Sequence, residues 1–166
     1  RNHGASPWTE RMDYPAMAAD VLALADDLGL EQFQLLGHSM GGKVAIAVAL
    51  EAPERVERAV IADIAPVPYA HDFEELIDAM RSLDLWRIDR RAAGDAALED
   101  VVEDAAKRHF LLQNLDFDAD GRAFWKPNLA VLEQAVPTLT DWPELYSGDV
   151  YEGPALSIRG GSSAYV

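Results

Sequence analysis

An alternating α/β chain built on a parallel sheet, interrupted by a mostly helical insertion, is the fold class this sequence predicts. Three observations predict it. Short apolar runs at Phe33–Gly37 and Val56–Ala62 flank an apolar helical stretch at Met40–Leu50, so strand, helix and strand follow one another at the spacing of a parallel crossover. From about residue 67 to 142 the apolar residues recur mainly at helical spacing. A third strand-like run, Ala155–Arg159, then resumes the α/β pattern.

Taken in order, Pro15–Leu28 repeats apolar side chains at Met17, Val21, Leu24, Ala25 and Leu28, the pattern of an amphipathic helix, and Gly29 ends it. Phe33–Gly37 is bounded by turn chemistry and suits a buried strand. The stretch Met40–Leu50 is apolar on most sides, and Gly41, Gly42, Ala45, Ala47 and Ala49 allow close approach to a sheet. Pro53 stops it. Phe73, Leu76, Ile77, Met80 and Leu83 mark a helix, with further helical patterns to Leu115. Asp118–Gly121 is a turn signal, and Phe124-Trp125 follows as a short extended piece. Asn128 caps a helix to Val136, after which Pro137, Pro143 and Gly153-Pro154 lead into the third strand. The expected division is therefore residues 1–66 as core, 67–142 as helical cap insertion and 143–166 as return to the core.

The 166 residues carry 14 basic against 29 acidic side chains, a formal charge of −15. No Lys/Arg cluster offsets this, so nucleic acid and anionic membrane surfaces are excluded as expected partners. Zero cysteines exclude a disulfide framework, thiolate metal sites and a cysteine nucleophile. No apolar run approaches the roughly 20 residues a membrane-spanning helix needs, and a cytoplasmic location is expected. The chain opens on Arg1 and stops just after a strand-like run, and we read it as an internal fragment. Phe33 then begins a strand without its usual neighbour, an exposed sheet edge through which self-association is expected.

Gly37-His38-Ser39-Met40-Gly41 fits G-x-S-x-G between a strand and a helix, the context that motif requires. The serine occupies a sharp, strained turn, and flanking glycines remove side chains that would clash there. The turn lifts Oγ clear of the sheet and sets the Met40 N–H at a helix N-terminus, where it can stabilise an oxyanion. A serine nucleophile needs a base, and the chain holds only His3, His38, His71 and His109. His38 adjoins Ser39 but is expected to point away from Oγ. His3 lies in a loop that could border the site, and His71 and His109 fall in the helical insertion. No His/Asp/Glu set has convincing metal-ligand spacing, and no phosphate loop of the P-loop type occurs.

Several segments together resemble one family. Arg1–Ser6 resembles the loop after its fourth strand, Gly37–Lys43 its nucleophile elbow, and Asp63-Ile64-Ala65-Pro66 the end of its sixth strand. Phe110–Leu115 and Trp125–Leu129 resemble cap signatures, and Ser157–Gly161 the seventh strand and its turn. The family is the α/β-hydrolases, in particular the YbfF-type bacterial esterases and their mitochondrial relatives. The resemblance implies an α/β-hydrolase fold with a helical cap, here without the N-terminal strands and the C-terminal strand and helix.

In many such enzymes the acid follows the seventh strand, but here Gly160-Gly161-Ser162-Ser163-Ala164 holds no carboxylate. The resemblance moves that role to Asp63, and spacing agrees. Ser39 and Asp63 end neighbouring parallel strands, which lie about 4.8 Å apart, close enough to share one imidazole. Asp141 and Asp149 are weaker alternatives. The base is implied to come from a loop beyond residue 166, and the second oxyanion donor from before Arg1. Phe110, Leu112, Asn114 and Trp125 are candidates for lining an acyl pocket under the cap. The expected activity of the intact parent is cofactor-free hydrolysis of small-molecule carboxylic esters or thioesters. Cofactor-free haloperoxidase or C–C bond hydrolase chemistry, or a catalytically silent segment, are the alternatives, because fold and triad do not choose a substrate.

Overall fold

Asp13, Pro15 and the alanines behind them explain how the chain begins its first helix. The computed structural model describes residues 1–69 and 73–163. In chain order its main elements are α1 (Tyr14–Asp27), β1 (Phe33–His38), α2 (Met40–Glu51), β2 (Val56–Ala62) and α3 (Phe73–Ser82). There follow α4 (Arg91–Leu98), α5 (Ala105–Leu112), β3 (Leu115–Phe117), β4 (Ala123–Trp125), α6 (Leu129–Thr140) and β5 (Ala155–Ile158). The chain divides into two units, Arg11–Ala70 with Pro137–Val166, and Arg1–Glu10 with His71–Val136.

The first is the sheet unit. The Asp13 carboxylate accepts the Ala16 N–H at 2.8 Å and so caps α1, while Pro15 sits in the first turn, where a missing N–H leaves no bond unmade. β1, β2 and β5 form a parallel sheet in the order β1-β2-β5. Leu36 is level with Val60 and Leu156, and His38 with Ala62 and Ile158. α2 packs on β1 and β2, and α1 packs on α2. Ala45, Ala47, Val48 and Ala49 are buried there, small enough for helix and sheet to close together. Side chains alternate along a strand, so the two faces differ. Gly37, Ala59 and Ile61 are buried, whereas Leu36, Leu156 and Ile158 on the opposite face are 75%, 56% and 49% exposed.

The second is the helical unit. Leu98 and Leu115 are fully buried at its centre, among Met80, Ile88, Leu111 and Trp125. β3 and β4 form an antiparallel hairpin, closed by Asp118, whose carboxylate accepts the N–H groups of Asp120 and Arg122. Arg108 is buried and compensated, bonding Asp95 at 2.9 Å and the carbonyls of Val102 and Glu103. Among the described residues no helix is long and apolar enough to cross a membrane.

Three expectations change. Arg1–Glu10 groups with the helical unit and not with a 1–66 core. Asn2 is the reason: fully buried, it accepts the Asn128 N–H on its carbonyl at 2.9 Å and the Thr9 N–H on its side chain at 2.8 Å. The helical pattern expected up to Leu115 stops at Leu112, because Leu115 pairs with Trp125 across the hairpin. α6 runs through Pro137 to Thr140 instead of ending at Val136. Near a helix end proline removes a single ladder bond and its fixed φ is already helical.

Candidate active site

Ser39 joins β1 to α2 with φ 53° and ψ −125°, a backbone state that side-chain-bearing residues rarely hold without surrounding support. That support is visible. The Ser39 N–H donates to Ala62 O at 3.0 Å, and Ser39 O accepts the Gly42 N–H at 2.8 Å, the first bond of α2. A serine at a helix N-cap ordinarily spends its hydroxyl on the first turn; Ser39 makes no such bond. The Met40 N–H belongs to the first turn, outside the intrahelical ladder, and carries the positive end of the helix dipole.

The glycines divide their work differently from the expectation that Gly37 and Gly41 make room for the turn. A Cβ on Gly37 would lie 2.1 Å from Gly41 O, and one on Gly42 would lie 2.4 Å from the Ile64 side chain. A Cβ on Gly41 would meet nothing within 4 Å. The close approaches therefore need Gly37 and Gly42.

Asp63 follows β2 as Ser39 follows β1, and since His38 is level with Ala62, the two residues lie at matching positions on adjacent strands. Asp63 also has a positive φ, 56°, and its N–H continues the ladder to Ile158 O at 2.7 Å. Its Oδ1 accepts the Gly160 N–H at 2.8 Å. This bond above all, then one from the Ser163 side chain, holds the carboxyl below its usual range, with the neighbouring His38 and Arg159 acting in the same direction and partial desolvation opposing them. A Cβ on Gly160 would sit 3.1 Å from Oδ1. The Gly-rich turn without a carboxylate is thus where Asp63 finds its donors, a role the sequence reading missed; glycines facing a loop aspartate were the available signal.

His38 is exposed on β1, and His71 lies outside the described residues. His3 Nδ1 is 3.1 Å from Arg1 O. His109 is exposed on α5 and, with Arg91, Asp95, Leu112 and Gln113, borders an open cavity of about 500 Å³ in the helical unit. Trp125 is a core residue whose indole N–H donates to Met80 O at 3.0 Å, so packing accounts for it where a pocket was expected. Leu112 is buried in the same core, Phe110 is exposed, and Asn114 is half-buried with its carbonyl bonded to the Lys126 N–H. The Asp141 carboxylate accepts the Trp142 N–H at 2.8 Å, and Asp149 borders a separate cavity of about 310 Å³ in the sheet unit. Among the described residues no group of three His, Asp or Glu side chains is arranged to hold a metal.

A serine at positive φ between a parallel strand and a helix, with an aspartate at the matching turn next door, is a combination that marks a class of α/β fold. Residues 1–163 match the family described as alpha/beta hydrolase fold, and the chain belongs to that family. It is 40% identical over 172 residues to the sn-1-specific diacylglycerol lipase ABHD11 of Xenopus laevis, covering all of this chain and 54% of that protein. To esterase YbfF of Escherichia coli it is 33% identical over 167 residues, covering 100% and 63%. A solved structure described as a marine microorganism esterase superposes with a TM-score of 0.92 at 30% identity, over all of this chain and 66% of that one. The chain thus spans little more than half the length of the curated lipase relatives it matches.

Proposed function

We propose that the protein containing this chain is a serine hydrolase that cleaves carboxylic esters or thioesters through an acyl-enzyme. One observation carries the reading: Ser39 is held at positive φ with its hydroxyl unspent on the helix it opens, beside an aspartate at the matching strand end. The similarity to proteins named as an esterase and a diacylglycerol lipase supports the same chemistry.

In this mechanism Ser39 Oγ attacks the acyl carbon while a histidine supplied beyond residue 166 takes its proton. The Met40 N–H, with a second donor from outside the chain, stabilises the oxyanion. The histidine returns the proton to the departing alcohol or thiol. It then takes one from water as the water oxygen attacks the acyl carbon, and gives that proton to Ser39 Oγ as the Oγ–acyl bond breaks and the acid leaves. Asp63 orients the histidine and stabilises its cation. The helical unit would act as a cap, with Phe110 and Asn114 as candidate acyl contacts. The cytoplasmic location expected from the sequence is carried with this proposal, and fractionation of cells expressing the full-length protein tests it.

Labelling of the full-length protein with a fluorophosphonate probe is the direct experiment. Wild type is expected to label and Ser39→Ala not to; labelling that survives Ser39→Ala would falsify the assignment. Residues 1–166 alone are expected to hydrolyse p-nitrophenyl esters poorly or not at all.

A further inference from the structure

Lys43 has no part in the ester chemistry, yet the sheet unit is built around it. It lies four residues after Ser39 on a helix whose neighbouring residues are glycine, alanine and aliphatic side chains, and it is fully buried. A buried ammonium is unfavourable unless protein groups replace its water. Here the replacements come from two separate stretches: Nζ donates to Val67 O at 2.9 Å and to Asp141 O at 2.8 Å. The Tyr69 ring centroid lies 4.3 Å from Nζ and that of Tyr14 5.5 Å, both within cation–π range.

Those stretches have a shared meaning in the chain. Val67 lies just before the chain enters the helical unit, and Asp141 just after it returns. They also meet directly, the Tyr69 N–H donating to Thr140 O at 3.1 Å, and the Tyr14 hydroxyl holds the return at Leu139 O, 2.6 Å away. An apolar side chain of similar length would often be no less stable in such a site, so the donors explain the lysine better than its bulk does.

We propose that Lys43 is a positioning residue, a clasp that ties both connections of the helical segment to the first turns of the helix Ser39 opens. In doing so it holds the entry and return of that segment in a fixed place beside the nucleophile turn. Its consequence for catalysis rests on the esterase reading; the clasp itself does not.

The test is amide hydrogen exchange on the full-length protein, comparing wild type with Lys43→Met. Losing two bonds to main-chain carbonyls is expected to speed exchange at the Val67 and Tyr69 amides and in residues 139–142 by at least about tenfold, with the β1–β2 ladder unchanged. KM for a p-nitrophenyl ester is expected to rise by a larger factor than kcat falls. Lys43→Gln, which keeps two N–H donors without the charge, is expected to recover part of the protection. A folded Lys43→Met whose connections exchange like wild type overturns the proposal, and so does faster exchange spread evenly over the sheet unit. Should Lys43→Met fail to fold, Tyr69→Leu decides, because it removes a ring beside Nζ and leaves both carbonyls. A rise of about threefold confined to the two connections is expected there, and no rise overturns the clasp. Absence of fluorophosphonate labelling in wild type would instead remove the esterase reading and leave the exchange result standing.

Discussion

Ser39 and Asp63 end two neighbouring parallel strands and are built on the same backbone device, with φ of 53° and 56°. Each sends its N–H across to the next strand, Ser39 to Ala62 O and Asp63 to Ile158 O. Their side chains are treated in opposite ways. The serine hydroxyl makes no bond to the helix it opens, while the aspartate is held by Gly160 and Ser163. In the proposed mechanism the first arrangement leaves a weak nucleophile available for activation, and the second sets an anion in place before a histidine reaches it, so that little reorganisation would be left for the reaction itself.

The largest expected effect separates the two side chains directly. In the full-length protein the proposed mechanism has Ser39→Ala lower kcat for a p-nitrophenyl ester by about 10⁴-fold or more, and Asp63→Asn by about 10³–10⁴-fold. Fluorophosphonate labelling should disappear in the first and persist, slowed, in the second. Equal labelling of Asp63→Asn and wild type would remove Asp63 from the reaction.

Next in size is a contrast between two glycines of the elbow. Gly37→Ala drives a Cβ into the Gly41 carbonyl and should cost about 3 kcal/mol or more, since neither backbone can retreat. Gly41→Ala meets open space and should raise helix stability by up to about 1 kcal/mol. Urea midpoints of the two variants, if similar, would show that the turn is looser than its geometry.

A smaller effect tests the donors around Asp63. Ser163→Ala should weaken activity by only about threefold to tenfold, the net worth of one ordinary exposed hydrogen bond when the Gly160 bond is retained, and a loss as large as that of Asp63→Asn would put Ser163 in the reaction. The pH dependence follows in sign from the lowered carboxyl. Its contribution to stability is present above the ordinary carboxylate range and is lost as pH falls through the depressed folded value. The stability gap between wild type and Asp63→Asn should therefore be wide at pH 7 and narrow in strong acid. Lys43, lowered to about 8 by burial against the opposing pull of Asp141, has the reverse sense. Its unfavourable contribution is full below that value and is relieved as pH rises toward the ordinary lysine range, so wild type should gain stability relative to Lys43→Met between pH 7 and pH 10.

Much of this was legible in the chain. β2 was expected over the same residues it occupies, and β1 and α2 to within one residue, because short buried strands and a small-residue helix leave few other solutions. Ser39 was readable as a candidate because the elbow is local; Asp63 was implied by the family resemblance, with which the adjacency of the two strand ends agrees. Trp125 was not readable in this way: an aromatic in an extended piece looks the same in sequence whether it faces a ligand or, as here, the core behind Met80. Lys43 stands in the elbow segment as a lone cation on an apolar helix, a signal of a buried task whose partners the local pattern does not name.

The order strand, serine turn, helix, strand, aspartate was determined by the sequence alone, because hydrophobic spacing and turn chemistry act over a few residues. Only the tertiary structure decided which groups answer those residues. Gly160 comes to Asp63 across 97 positions, and Asp141 to Lys43 across 98. Bonds of that reach depend on how strands and connections pack, and no local pattern encodes them.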